Sequence, residues 1–513
     1  MRHNGVGNTP GKALALAAAA SLVWLGGAAL APTAAQAGVT SPNLIVDGDA
    51  EAVAQCSPRG LDGMTLPGWT IGKGEPNAVC YGQSGWPDAS SPGPSNRGAK
   101  FFAGGGTGNS EMDQTVNVSA AGSAIDQGNV SFDLNGWLGG YGAQLDRVNM
   151  TATFLSASGA QLGSAECDDV SSVDRGLKTG MVQRDTKGTL PKGTRSVKIA
   201  LNFTWTAGDT NDGYADNLSF TIGASLPAPK LTAPAASVPG YDHVFVVYLE
   251  NQDYDGVSGI IGNSQAPYIN GLRSQGATLS QSYATTHPSD PNYVALAAGG
   301  LYGLVDNSVG TTTLDATHIG NRVDAAHKTW KGYAEDANGN CDQTAHGQYY
   351  QDDLPFLYFK NIKSDAAYCA AHLQPLTQMT TDLKSAATTP NFVWFAANEC
   401  HNMEGCGVAS GDSWLSTTLP TIFDSPAWKQ QRSLLILTFD EGAVKAFGPL
   451  YPNRVPTIML GSQGSVRAGF TSSQRTDQYG LLRTIDTALG LQPLTNNDAY
   501  AATVNDIWSN PKQ

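Results

Sequence analysis

The hydrophobic pattern of the chain changes partway along. Over residues 38–222, short runs such as QTVNVS, NVSFDLNGW, VNMTATFLS, SVKIALNFTW and NLSFTIG are separated by Gly, Asn, Asp, Ser and Thr. Short strand-like runs divided by turn residues predict an all-β sandwich or jelly roll. Residues 223–240, GASLPAPKLTAPAASVPG, carry no periodicity and are rich in Pro, Ala and Ser, as a linker is. Residues 241–513 read differently. HVFVVYLEN (His243–Asn251), NFVWFAANE (Asn391–Glu399), SLLILTFDEG (Ser433–Gly442) and VPTIMLG (Val455–Gly461) are almost continuously apolar. Between them lie amphipathic stretches, APYINGLRSQG, LQPLTQMTTDLKSA and QYGLLRTIDTALG. Strands without alternation, interleaved with helix-like segments, predict an α/β domain with a mostly parallel, buried sheet.

In such sheets ligands bind outside the carboxyl ends of the strands. Three of the four apolar runs end there in Glu, Asn or Asp. Glu250, Asn251, Asp440 and Glu441 are therefore candidate metal ligands; ordinary helix capping is the plainer reading. Their oxygens suit a hard cation such as Mg, Mn or Ca better than zinc. Ser289 lies in THPSDPNY (Thr286–Tyr293), between Pro288 and Pro291, which restrict the backbone around its hydroxyl. A serine is a weak nucleophile until a base or metal activates it. Asn292 is a candidate to position the loop or a phosphate oxygen, and His287 to assist proton transfer. NECHNMEGCGVASGDSWL (Asn398–Leu415) adds Asn398, His401, Glu404 and Asp412 as candidates for a second metal or a general acid. A loop stapled by Cys400 and Cys406 is the competing reading. Strand-end carboxylates with a fixed hydroxyl are what metal-assisted attack on a phosphate ester requires.

Composition narrows the compartment and the partners. Arg2 and Lys12 precede and open an Ala/Leu-rich stretch, and Ala35-Gln36-Ala37 fits a cleavage site. Residues 1–37 thus read as a signal peptide, with an uncleaved anchor as the alternative. No later run approaches the ~18 apolar residues of a membrane span, so the mature chain is expected to be secreted. A formal charge of −14 excludes nucleic acid as a natural partner, since phosphate backbones reward Lys and Arg. Seven cysteines in an exported chain imply disulfides. Cys56 with Cys80, Cys341 with Cys369 and Cys400 with Cys406 are the plausible pairs, leaving Cys167, though connectivity stays open.

Taken in order, LENQDYDGVSGIIG, APYINGL, THPSDPNYVALAAG, YAED…C…LPFLYF, GDSWL, TFDEG, NRVPT and YGLLRTIDTALGL resemble the bacterial phosphoesterase family. That family contains secreted acid phosphatases and phospholipase C-like enzymes of the alkaline-phosphatase-like superfamily. The resemblance covers roughly residues 241–495. It implies that Glu250 and Asn251 are the first metal ligands, that Ser289 is transiently phosphorylated, and that Asp440 and Glu441 close the ligand set. Three positions depart from the family, which often has His where this chain has Asp353, Gln478 and the run ending at Asn453. Those departures favour a single cation over a two-zinc centre. The first half opens with NLIVDGDAE and closes with NDGYADNLSF, resembling carbohydrate-binding modules of the galactose-binding-like jelly-roll type. That resemblance implies a structural calcium on Asp47, Asp49, Glu51 and Asp216, the alternative being turn-forming side chains. It also makes glycan or cell wall a candidate partner, through Trp69, Tyr81, Trp86 or Trp137 as exposed stacking platforms.

Two rivals remain. A serine esterase lacks its G-x-S-x-G here, and the D-x-x-H string Asp324–His327 precedes Gly411-Asp412-Ser413 instead of following it. A non-catalytic glycan- or surface-binding protein with a degenerate phosphatase fold is the other. The expectation is a secreted, metal-dependent phosphoester hydrolase with a phosphoserine intermediate. Its substrate is expected to be a small phosphomonoester or a phospholipid headgroup.

Overall fold

The short runs of the first half become two antiparallel sheets. Ten strands contribute: β1 (Thr70–Lys73), β2 (Asn77–Cys80), β3 (Lys100–Ala103), β4 (Ser110–Asn117), β5 (Ser131–Gly140), β6 (Arg147–Leu155), β7 (Gln161–Cys167), β8 (Gly180–Thr189), β9 (Ser196–Thr204) and β10 (Gly213–Ile222). One sheet has the order β1-β4-β9-β6-β7 and the other β2-β3-β10-β5-β8. Met112, Leu201, Leu134 and Phe220 from the two sheets meet in one buried core. Sequence pattern misses β7 and β8 because both are edge strands whose side chains mostly face solvent. The computed structural model describes residues 40–443 and 453–509; the expected signal peptide lies outside them. No helix among the described residues is long and apolar enough to cross a membrane.

The second half is built on an eight-stranded sheet. Its strands are β11 (His243–Leu249), β12 (Ala277–Leu279), β13 (Trp330–Ala334), β14 (Leu373–Pro375), β15 (Phe392–Ala396), β16 (Ser433–Phe439), β17 (Thr457–Gly461) and β18 (Phe470–Ser472), in the order β14-β13-β15-β11-β16-β17-β12-β18. β11 is central and parallel to both β15 and β16. All seven residues of β11 and of β16 are buried, which is why neither alternates. Only β17 runs against its neighbours. Helices at Leu376–Asp382, Val408–Phe423 and Gln478–Leu489 cover the sheet faces, the first and last as expected.

The stretch at 223–240 is irregular, yet its far end is pinned to the second half. Arg483 Nη2 donates to the Pro234 carbonyl at 2.6 Å, and Asn505 Oδ1 accepts from Ser237 N at 2.7 Å. The two halves also share apolar packing. Ala295, Leu301, Tyr479 and Ala501 of the second half join the core of the sandwich. Thr40–Gln513 therefore forms one compact unit. Three disulfides are present, Cys56–Cys80, Cys341–Cys369 and Cys400–Cys406, and Cys167 is free and buried.

One aromatic expectation is corrected. Trp69 is no exposed platform: it is 8% exposed, packs edge-on against Phe102, and donates Nε1–H to the Asp47 carbonyl. Tyr81 and Trp86 are half-buried against Phe101, and Trp86 also packs against Tyr214. Trp137 alone of the four lines a polar cleft, of about 420 Å³, with Asn43, Asp49, Asn135 and Gln183.

Candidate active site

The parallel sheet delivers Glu250-Asn251 from the end of β11 and Asp440-Glu441 from the end of the adjacent β16. Asn251 adopts a left-handed backbone (φ 55°), which asparagine tolerates better than most residues. That turn lets its N–H donate to Asp440 Oδ1 at 2.8 Å while its Nδ2 donates to Glu250 Oε2 at 2.7 Å. Ser289 is the first residue of a fully buried helix, Ser289–Ala298. Its Oγ lies 3.1 Å from Glu250 Oε2 and 3.3 Å from Glu441 Oε1. Elements far apart in sequence thus bring one hydroxyl between two carboxylates. His287 Nδ1 pairs with Glu441 Oε2.

Burial dominates the electrostatics. Glu250, Asp440 and Glu441 are at most 4% exposed. Desolvation, then the charge of Asp440, pushes the Glu250 carboxyl well above its usual range. Desolvation, then Glu441, does the same to Asp440. Asp440 Oδ2 and Asn251 Oδ1 are buried with no hydrogen-bond partner among the described residues. Clustered buried carboxylates with spare lone pairs are costly unless a cation takes them up. This donor chemistry fits a hard cation.

The loop before Ser289 is braced from several sides. Asn292 Oδ1 accepts from Thr285 N (3.1 Å) and Thr286 N (2.9 Å), and its Nδ2 donates to Thr286 O (3.0 Å) and Pro288 O (3.2 Å). Its amide is committed to the loop, not aimed at a phosphate. The three positions lacking the expected imidazoles all border this site. Gln478 Nε2 donates to the Asp440 carbonyl at 3.0 Å. Asn453 joins Gly442 N (2.7 Å) to Thr286 O (2.8 Å). Asp353 accepts from Tyr293 OH at 2.7 Å, and the same hydroxyl lies 2.5 Å from Glu250 Oε1. Sequence reasoning missed Tyr293, although a residue four after Ser289 shares its helix face.

His401 belongs to a loop whose Asn402 carbonyl accepts from Glu250 N at 2.9 Å. The histidine's Nδ1 meets Glu335 Oε2 at 2.9 Å and its ring stacks on Trp414. Asn398 Nδ2 donates to Asp336 and Asp412 caps the Pro267–Leu272 helix by accepting from Tyr268 N and Ile269 N. In the sandwich, Asp49 and Glu51 lie close enough to Asp47 and Asp216 to raise the pKa of those two. Asp47 and Asp216 are pushed up to about 7, chiefly by burial, then partly by Asp49 and Glu51. Most of their oxygens are already used: Asp47 Oδ1 by Ala52 N, Asp216 Oδ2 by Tyr81 OH, and Glu51 Oε1 by Ala99 N and Lys100 N. Asp47 Oδ2 is the exception, buried and without a hydrogen-bond partner among the described residues.

Comparison with known proteins identifies the family of the second half. The model of the Phosphoesterase family matches residues 259–492, which include Ser289, Asp440 and Glu441 and begin just after Asn251. A phosphatidylinositol-3-phosphatase of Mycobacterium tuberculosis is 31% identical over 57% of this chain and 91% of its own length. A probable acid phosphatase of Kluyveromyces lactis is 23% identical over 59% of this chain and 73% of its own. A solved protein of the alkaline phosphatase superfamily from Vibrio parahaemolyticus superposes with TM-score 0.37 and 12% identity, over 52% of this chain and 71% of that one. The chain belongs to the Phosphoesterase family and is a hydrolase acting on phosphoric ester bonds.

Proposed function

We propose that the protein is a phosphomonoesterase in which Ser289 is the nucleophile. The observation that carries this reading is the Ser289 hydroxyl set between Glu250 and Glu441 at 3.1 and 3.3 Å. In the first step Ser289 Oγ attacks phosphorus in line with the leaving oxygen. The Oγ–P bond forms, the P–O bond to the leaving group breaks, and the leaving oxygen takes up a proton. The Ser289 Oγ–H proton passes to Glu441 as Oγ–P forms, and His287, held through Nδ1 by Glu441, would relay a proton on to the leaving oxygen. Water then attacks the phosphoserine, which frees phosphate and restores the hydroxyl. Glu250, Asn251, Asp440 and Glu441 would hold a single hard cation. When bound, it would lower the hydroxyl's pKa and offset charge on the phosphoryl oxygens. The name of the mycobacterial relative makes a phosphorylated inositol headgroup the first lipid-derived substrate to try beside aryl phosphates.

Acid-quenched enzyme should carry one phosphate on Ser289, detectable by peptide mass, and Ser289→Ala should abolish both label and turnover. Turnover by Ser289→Ala at the wild-type rate would overturn the assignment.

A second reading concerns the sandwich. The polar cleft with Trp137 suits a glycan, which would hold the enzyme near polymeric substrate. Retention of the full chain on polysaccharide should be lost with Trp137→Ala; equal retention of both proteins would remove the reading. Three disulfides support export to an oxidising compartment.

A further inference from the structure

The sandwich meets the segment leading into Ser289 through the loop Ser57–Gly63, and the contact is polar and buried. Asp62 is fully buried and sits at its centre. Its Oδ2 accepts from Ser57 Oγ at 2.7 Å and its Oδ1 from Arg59 Nη2 at 2.6 Å. The same Oδ1 accepts from the hydroxyl of Thr286, which also receives a hydrogen bond from Arg59 Nη2. One residue further on, Gly63 N donates to the Thr285 carbonyl at 2.7 Å. A Cβ at Gly63 would meet that carbonyl oxygen at 3.4 Å, so the two backbones run in close contact. Thr285 and Thr286 lead directly into His287, Pro288 and Ser289.

We infer that the Ser57–Gly63 loop is a positioning element of the hydrolytic site, with Asp62 fixing Thr286 and through it the His287–Ser289 segment. The β-sandwich is then part of the catalytic unit, whatever else it binds. The inference rests on Ser289 as nucleophile. The physical reason is the precision an attacking oxygen needs. Displacement of a reacting group by about 1 Å costs on the order of 10²-fold in rate, and a loop holds such a position only through its supports. Asn292, Asn453 and Gln478 brace this loop from within the α/β half. Asp62 and Arg59 brace it from the sandwich. Removal of Asp62 takes from the Thr286 hydroxyl its shorter acceptor, leaving the His287 carbonyl at 3.3 Å, and takes one acceptor from Arg59.

The test uses the full chain and an aryl phosphate, with kcat and KM measured separately. Thr286→Val keeps the shape and removes the hydroxyl; Thr286→Ser keeps the hydroxyl. Thr286→Val should lower kcat by roughly 10- to 100-fold with KM changed less than about threefold, and Thr286→Ser should return kcat to within about threefold of wild type. Asp62→Asn should fall between them, because its amide oxygen still accepts one bond. Wild-type kcat in Thr286→Val, or an equal loss in Val and Ser variants, overturns the inference. Ser289→Ala, run in parallel, separates the two readings. If it stays active while Thr286→Val is impaired, the nucleophile is misassigned and the loop positions another group. If it is inactive while Thr286→Val is normal, only the positioning role falls.

Discussion

Two carboxylate clusters sit in the two halves of this protein, and they spend their oxygens differently. In the sandwich, Asp47, Glu51 and Asp216 accept from backbone N–H groups, and Asp216 also from a tyrosine hydroxyl, leaving one buried oxygen, Asp47 Oδ2, unused. At the end of the parallel sheet, Asp440 and Asn251 each keep an unused buried acceptor, and a serine hydroxyl points at the neighbouring Glu250. A cluster of acids is therefore not a site by composition. What its lone pairs are already doing decides whether it braces a fold or awaits a ligand.

The contrast breaks most easily at Asp440. Asp440→Asn removes charge where two acceptors converge, and kcat on an aryl phosphate should fall by on the order of 10³-fold or more. A fall of less than tenfold would place both clusters in the same structural class. Next in size is chelation. Dialysis against EDTA should abolish turnover, and Mg, Mn or Ca should restore it. Loss of turnover in the wild type without restoration by any of the three would remove the hard-cation reading. Tyr293→Phe tests the wiring between Glu250 and Asp353. It leaves two buried carboxyls without their shared donor, which should cost about 1–3 kcal/mol in stability by urea denaturation. Smallest is Asp47→Ala, which loses one bond to Ala52 N and should cost about 1 kcal/mol with kcat unchanged.

His318 contributes to the acid limit within which both clusters hold their places. Burial pushes its ring down to about 3 from 6.5. Its folded pKa is depressed, so below about pH 6.5 the unfolded chain takes up a proton that the folded ring refuses. Stability from this group is complete above pH 6.5 and is lost as pH falls toward 3, at about 1.4 kcal/mol per pH unit. Denaturation midpoints at pH 7, 5 and 4 should decline more steeply in the wild type than in His318→Phe.

Much of the site was legible because buried parallel strands leave a plain signature. β11 and β16 read as apolar runs, and a polar pair at each end stands out. The fourth run, β17, lacks such an ending for a topological reason. It is antiparallel, so its carboxyl end faces away from the site and its beginning, near Asn453, faces toward it. Strand direction is not written in a hydrophobic run. Short strands such as β12 and β18, of three residues each, fall below any pattern. The Asp62–Thr286 contact joins residues 224 apart and leaves no local trace. The partner of His401, Glu335, comes from just beyond the end of β13 and is likewise invisible from its neighbours in sequence.

Because β17 reverses direction, the end of β16 and the approach to β17 lie side by side at the site. Asn453 Oδ1 accepts there from Gly442 N at 2.7 Å, one residue after Glu441 and two after Asp440. The arriving and the departing strand are thus tied together beside the acids, so the register of the sheet and the placement of its carboxylates are one property of the fold.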